Sequence, residues 1–368
     1  MDSRRHWIGL NMVLGVGKTL FHRLIRAIGS PEAVFKASKN QLLKVEGIGE
    51  KTAQEIINFR FEEKTERELR LADKFGARII TLDCEEYPKL LKTIYDPPPV
   101  IYCKGKDLRS AKYPLAVVGS RKPTSYGRRV VEELCIPLAE KGISIISGLA
   151  RGIDTFAHKA ALNANGTTIA VFGCGLAQTY PPENAGLKDR VIENGSIISE
   201  FPMTMGPERN NFPARNRIIS GLSYGVFVVE AGEKSGALIT AQFALEHGRE
   251  VFAAPGPITS PNSKGPNRLI QSGAKLAADP ISILEELPFE IQNSIEETDP
   301  KDVKKALKDL NEKESRIISL IQLEECHIDQ LIENSGLSPA EVSATLLHLE
   351  LKGFVKHTEG NKYISTIN

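Results

Sequence analysis

Leu115-Ala116-Val117-Val118-Gly119-Ser120-Arg121-Lys122-Pro123-Thr124-Ser125-Tyr126-Gly127 is the stretch on which the reading of this chain turns. Four consecutive apolar residues predict a strand covered on both faces, as in a parallel sheet. Gly119 lets the backbone turn sharply, and Thr124 or Ser125 is placed to cap a helix beginning near Tyr126. A strand that runs through a glycine turn into a helix presents N–H groups at a helix N-terminus, where an anion is favoured. Arg121 adds a planar fork suited to phosphate. Around it lie Lys104, Lys106, Arg109, Lys112, Lys122, Arg128 and Arg129, with Asp107 the only acid between positions 104 and 129.

Working outward, a second run has the same form. Ile143–Ser147 predicts a strand ending in Ser147-Gly148-Leu149-Ala150-Arg151-Gly152-Ile153-Asp154. Further strands are expected at Thr168–Phe172, Ser196–Ser199, Gly225–Val229 and Glu250–Ala253, with helices beginning near Ile153, Asn184, Arg215 and Gly236. Such alternation predicts an α/β, Rossmann-like core with a mostly parallel sheet, extending over residues 71–288. Within it, 71–112 read as a connecting segment with one strand, Ala77–Leu82, and a stiff turn, Asp96-Pro97-Pro98-Pro99. Open α/β sheets hold ligands at the carboxyl ends of their strands, where both glycine turns fall.

The flanks differ in texture. Residues 1–70 read as helical and contain a short internal repeat, Gly15-Val16-Gly17-Lys18 and Gly47-Ile48-Gly49-Glu50-Lys51. Each half looks like a helix-hairpin-helix turn, which can meet a DNA phosphate with Lys18 or Lys51 assisting, or can serve packing alone. Residues 289–304 are polar and acidic and read as a linker. Residues 305–368 read as a winged helix: Ile328–Ile332, the turn Ser335-Gly336-Leu337-Ser338, a second helix over Ala340–Lys352, and a wing from Gly353–Lys356 and Lys362–Ile364. That second helix is poor in Arg and Lys, so a protein contact competes with groove binding as its purpose.

Composition limits the possible functions. Hydrophobic residues are 41% and charged residues 25% of the 368, the balance of an ordinary folded protein of two or three domains. No apolar run approaches the roughly 20 residues needed to span a bilayer, and no apolar segment follows Met1–Trp7 as a secretory signal requires. Five scattered cysteines, Cys84, Cys103, Cys135, Cys174 and Cys326, form no C-x-x-C pair and read as reduced thiols in the cytoplasm. With a net charge of +1, any nucleic-acid contact must come from a local patch.

Two nucleotide-site patterns and one acid–base or metal pair fail. Gly15–Thr19 ends like a P-loop, but Met12 stands where its first glycine belongs and no strand precedes it. Gly173-Cys174-Gly175 follows a strand, yet Gln178 replaces the third glycine of a dinucleotide fingerprint. Asp154 and His158, one helical turn apart, have no third ligand nearby and read as a helix-start carboxylate and a hydrogen-bonded imidazole. Neither a cofactor nor a metal is expected.

The motifs resemble, in order, those of the DprA/Smf family. They are Val118–Arg121 with Pro123-Thr124 and Tyr126-Gly127, and Ser147–Asp154 with Ala157-His158 and Ala161-Leu162. Gly173–Leu176 with Tyr180-Pro181 and Glu183-Asn184 follow, then Ser199-Glu200, Phe212-Pro213 with Arg215–Ser223, Val229–Ala231, Ser235–Leu238 with Thr240-Ala241, and Pro255-Gly256. The resemblance implies a sterile-alpha-motif-like domain in front and a winged helix behind. It also implies single-stranded DNA binding without strong sequence preference, a homodimer, and loading of RecA onto DNA in natural transformation or recombination, with no enzymatic activity. Carried over, Gly119, Ser120 and Arg121 match the family's DNA-contacting turn, and Ser147 and Gly148 its neighbour. Lys122, Arg151, Gly152, Arg215, Asn216 and Arg217 complete the candidate DNA-binding set. A basic residue sometimes follows the family's Tyr-Pro, where this chain has Pro182. The alternative on the same fold is an enzyme of the nucleotide-monophosphate phosphoribohydrolase type. That enzyme needs a Pro-Gly-Gly-x-Gly-Thr turn, and Pro255-Gly256-Pro257-Ile258-Thr259 lacks two of its glycines. A regulator acting on duplex DNA through the winged helix is a third reading.

Overall fold

The computed structural model describes residues 4–289, 291–292, 310–321, 326–351, 354–358 and 360–365. The chain divides into a compact unit ending at Gln292 and a second beginning at Asn293. Of the expected linker, Phe289, Ile291 and Gln292 are described and the other residues lie outside the described set.

The first unit is built on a nine-stranded sheet. Its strands are β1 (Arg78–Thr81), β2 (Val100–Gly105), β3 (Leu115–Val118), β4 (Ile145–Ser147), β5 (Thr168–Val171), β6 (Ser196–Ser199), β7 (Gly225–Val228), β8 (Glu250–Ala253) and β9 (Lys275–Leu276). They lie in the order β1-β2-β6-β5-β4-β3-β7-β8-β9, parallel from β6 to β9 and antiparallel where β2 joins β1 and β6. Every residue of β3 through β7 is buried, which is why β3 reads as an unbroken apolar run and the others as short runs dominated by apolar residues. From β3 the chain winds one way through β4, β5 and β6, then returns to lay β7, β8 and β9 on the other side of β3. The β3–β7 boundary is therefore the point where the winding reverses.

Two expectations need correction. The connecting segment 71–112 holds a second strand, β2, whose residues Val100–Cys103 are fully or almost fully buried between β1 and β6. The three prolines before it drew the eye to a turn, and its antiparallel pairing lies outside the βαβ rhythm. The helix expected to begin near Arg215 begins at Asn211, because Pro213 falls in its first turn, where a missing N–H costs no helical hydrogen bond.

Six helices precede the sheet: α1 (Arg4–Asn11), α2 (Lys18–Ile28), α3 (Pro31–Lys36), α4 (Lys39–Leu43), α5 (Glu50–Ile57) and α6 (Phe61–Phe75). Gly15 and Gly47 take φ of +86° and +88°, the left-handed backbone that the paired hairpins require. Phe21, Leu24, Leu42, Ile48 and Ile56 form these helices' own core. The boundary drawn at residue 70 falls inside α6, and Ile8 and Ala72 share a cluster with Ile79, Tyr102 and Leu149 of the sheet region. The N-terminal helices are thus packed into the first unit.

Charge joins them as well. The helix α7 (Lys89–Lys92) leads into a proline turn in which Asp96 meets Lys18 Nζ at 2.5 Å. Arg217, fully buried, donates to the Asp96 carbonyl at 2.8 Å and pairs with the Glu200 carboxylate. Burial pushes the Glu200 carboxyl up, against the pull of Arg217 and Lys18. Lys18, expected to assist a phosphate contact, is committed to this network.

In the second unit, helices Glu312–Ile321, Ile328–Ser335 and Pro339–Leu351 pack with a three-stranded sheet of β10 (Cys326–His327), β11 (Val355–Thr358) and β12 (Lys362–Ser365), in the order β10-β12-β11. Ile317, Leu331, Val342, Leu346 and Val355 form its core. This is a winged helix; Lys352 and Gly353 lie outside the described residues. Among the described residues, no helix is long and apolar enough to cross a membrane.

Replacing Arg217 with Met would leave Asp96 and Glu200 without their shared cation in the interior. Breaking one side of a buried ion pair costs about 3–5 kcal/mol. Urea denaturation should show Arg217→Met destabilised by that amount; a loss below about 1 kcal/mol would mean the carboxylates find other partners.

Candidate nucleic-acid interface

A cleft of about 670 Å³ opens at the carboxyl edge of the sheet, at the β3–β7 reversal. Val118 and Gly119 lie at its β3 side, Ala150 and Asp154 come from the turn after β4, and Ser235–Ala237 from the turn after β7. The helix α8 (Ser125–Glu140) follows the first turn and α9 (Ile153–Asn163) the second.

The first turn is tied down by Glu230, just beyond β7 and 1% exposed. Its carboxylate accepts the Thr124 amide at 2.8 Å and the Thr124 hydroxyl at 2.7 Å, and its carbonyl accepts the Ser120 amide at 2.6 Å. Thr124 is the cap of α8, its Oγ1 accepting the Gly127 amide at 3.3 Å. Ser120 Oγ accepts the Lys122 amide.

The second turn closes on Asp154. Its Oδ2 accepts the amides of Gly148 at 3.1 Å and Ala150 at 3.3 Å. Burial pushes this carboxyl up, while Arg215 and the two amides pull it down. Leu149 sits at φ +55° and is fully buried, a conformation a branched residue adopts only when its surroundings enforce it. Here Asn184 Nδ2 donates to the Leu149 carbonyl at 2.9 Å. The two turns also touch. The Ile153 amide donates to Ser120 O at 3.1 Å, and a Cβ at Gly152 (φ +78°) would stand 2.2 Å from that oxygen.

Sequence reasoning expected these amides to face an anion. Those of Ser120, Thr124, Gly148 and Ala150 are instead spent on the protein's own oxygens. Among the anion-meeting groups left at the surface are three cationic side chains. Arg121 and Lys122 are exposed, as is Arg209 on the far wall, and none of the three has an ion-pair partner among the described residues. Arg151 is exposed but paired with Glu183. The Arg121 guanidinium lies 5.7 Å from the centroid of Phe212, and Phe212 packs on Tyr180 at 5.4 Å.

The other candidates fall into place by depth. Ser147 is fully buried and donates to Val117 O, and Gly148 has no room for a Cβ beside Arg215. Arg215, on α11 (Asn211–Gly221), is 4% exposed and donates to the carbonyls of Gly148 and Val171 at the ends of β4 and β5. Burial lowers its pKa. It lines the cleft floor, and Asn216 reaches from its rim to Gly236 O. Arg217 is removed from the set. Two residues apart on a helix means opposite faces, so Arg217 points away from Arg215 into the Asp96–Glu200 network. Phe212, Tyr180 and Arg209 were missed as site residues; the signal available was two aromatic residues, Tyr180 on a loop and Phe212 in the first turn of a helix.

His158 is fully buried, with Nδ1 2.7 Å from Thr168 Oγ1. Burial, with Arg215 nearby, brings its pKa down to about 3. The pair with Asp154 is structural.

Residues 78–288 match the family described as DNA recombination-mediator protein A, 301–361 the DprA winged helix domain, and 9–60 the SAM-like helix-hairpin-helix tandem. Protein Smf of Synechocystis is 36% identical, with 98% of each chain aligned. The crystal structure of DNA processing protein A from Streptococcus pneumoniae superposes with a TM-score of 0.69 at 34% identity, covering 77% of this chain and 98% of that one. A structure of the Helicobacter pylori protein, described for its single-stranded DNA binding mode, has a TM-score of 0.50 at 31% identity, covering 64% of this chain and 98% of that one.

The His158 ring should stay neutral at pH 5, where an unfolded histidine is charged. Because its folded pKa lies below the ordinary 6.5 of a free imidazole, the unfolded chain takes up the proton and stability is lost as pH falls. Nitrogen-15 spectra read the ring directly. Between pH 6.5 and 5, His158→Gln should flatten the stability slope by up to about 1.4 kcal/mol per pH unit. A doubly protonated ring at pH 5 in folded protein contradicts this.

Proposed function

This chain belongs to the DprA/Smf family, and on that premise we propose that the cleft at the β3–β7 reversal holds single-stranded DNA. The observation that carries the reading is Arg121: exposed, without an ion pair among the described residues, and laid against the ring of Phe212. A cation beside an aromatic face is the pairing a single strand needs, phosphate on one and base on the other. Lys122 and Arg209 extend the cationic edge, and Tyr180 extends the stacking surface. Arg151 joins once a phosphate displaces Glu183, an exposed pair of little intrinsic strength. Gly119, Ser120, Ser147, Gly148 and Gly152 shape the backbone beneath, and Arg215 and Asn216 brace it. These contacts meet phosphate and ring faces, neither of which distinguishes bases strongly, so the strand is bound without marked sequence preference.

The family premise extends the reading to a cytosolic homodimer that helps load the RecA recombinase onto the bound strand, in transformation or recombination, without catalysing a reaction. Incubation with AMP should therefore release no free base.

Arg121→Ala should weaken single-strand binding by about 1–3 kcal/mol, the range for a charge-assisted contact. It should also reduce the salt slope by about 0.7 in log K against log salt, one phosphate's share. Arg121→Lys should recover part of the loss, keeping charge without the fork. A folded Arg121→Ala protein with unchanged affinity and slope would remove Arg121 from the site.

The cleft lies wholly in the first unit, and the winged helix's last helix, Pro339–Leu351, contains no Arg or Lys. A chain ending at Gln292 should keep single-strand affinity within about tenfold, roughly 1.4 kcal/mol. A greater loss would move part of the site to the second unit.

A further inference from the structure

Beyond the cleft, the loop joining β8 to α13 (Lys264–Gln271) has a feature that neither packing nor the phosphate contacts explain. Ile258 stands at its tip with 88% of its surface exposed, the largest exposure among the exposed large hydrophobics of the described residues. A flexible loop could bury such a side chain against its neighbours. This loop is held stiff. Pro255, Pro257 and Pro261 fix its φ angles, and Asn267 clamps Gly256 from both sides, accepting its amide at 3.1 Å and donating to its carbonyl at 2.9 Å. A Cβ on Gly256 would stand 2.3 Å from Ser263 Oγ, so the backbone is pressed onto the following turn. Tyr126 donates to Pro255 O, and the Ser260 amide closes on Pro257 O at 2.9 Å.

The same loop abuts the candidate DNA turn. Asn262 Nδ2 donates to Lys122 O at 3.2 Å, and Tyr126 is the second residue of α8. An apolar side chain is therefore held in water on a braced loop, four residues before the asparagine that bonds the Lys122 carbonyl. In proteins that bend duplex DNA, apolar side chains, isoleucine among them, insert between neighbouring bases and unstack them. We infer that Ile258 is a base wedge: a strand leaving the cleft past Lys122 has two adjacent bases parted by this side chain. The inference rests on the reading of the cleft as a single-strand site.

The test compares an oligonucleotide carrying 2-aminopurine, whose fluorescence rises on unstacking, with an abasic oligonucleotide of equal length, bound to the full chain. The wild type should brighten the probe. Ile258→Ser should abolish the brightening and weaken the base-bearing strand about fivefold, or about 1 kcal/mol, while leaving abasic affinity and melting temperature unchanged. Ile258→Phe should restore both signal and affinity. Arg121→Ala should weaken both strands, since it meets phosphate. Wild-type brightening and affinity in Ile258→Ser would overturn the wedge while leaving the cleft reading intact. Arg121→Ala without effect on either strand would overturn the cleft reading, and the wedge with it.

Discussion

Two buried carboxylates, those of Asp154 and Glu230, shape the whole carboxyl edge of the sheet. A carboxylate withdrawn from water must be met by donors, and the nearest are the amides of the glycine turns. Once Glu230 has taken Ser120 and Thr124, and Asp154 has taken Gly148 and Ala150, neither turn can move without stranding a charge. The turns are then close enough to bond each other through Ser120 and Ile153. The exposed cationic side chains then stand on a rigid base, which is the arrangement that positioning a polyanion requires.

This internal use of the amides also marks how far the sequence could be read. The strands β3 to β7 were legible because burial on both faces writes short runs dominated by apolar residues. Thr124 was legible as a cap because its role is local. The part played by Glu230 was not, since it acts across 106 positions of sequence and nothing near it announces the turn it holds. Position 154 was read correctly as a helix-start carboxylate, but its effect on the turn before it depends on tertiary closure. Four of the amides that looked open to a ligand are taken by the protein's own oxygens once the chain folds.

The cationic positions show the same division. Arg121 and Lys122 lie on an exposed turn, where charge in the sequence is charge at the surface. Arg215 and Arg217 sit on a helix, where neighbours in sequence are not neighbours in space. Arg215 anchors the ends of β4 and β5, and Arg217 neutralises two carboxylates on the opposite side. The partners that separate them, Asp96 and Glu200, are remote in sequence and carried no signal of their own. Phe212, on the same helix as both arginines, faces the cleft.

The tie between α2 and the sheet bears on how such chains can be shuffled. Lys18 serves Asp96, and Glu68 on α6 accepts the Met203 amide at 2.6 Å. A recombination event that exchanged the leading helices for those of a distant relative would have to bring matching partners at both places. A breakpoint beyond Gln292 severs no such pairing within the first unit. Exchange of the front by modules is therefore constrained, although the front is the part that reads in sequence as a separate domain.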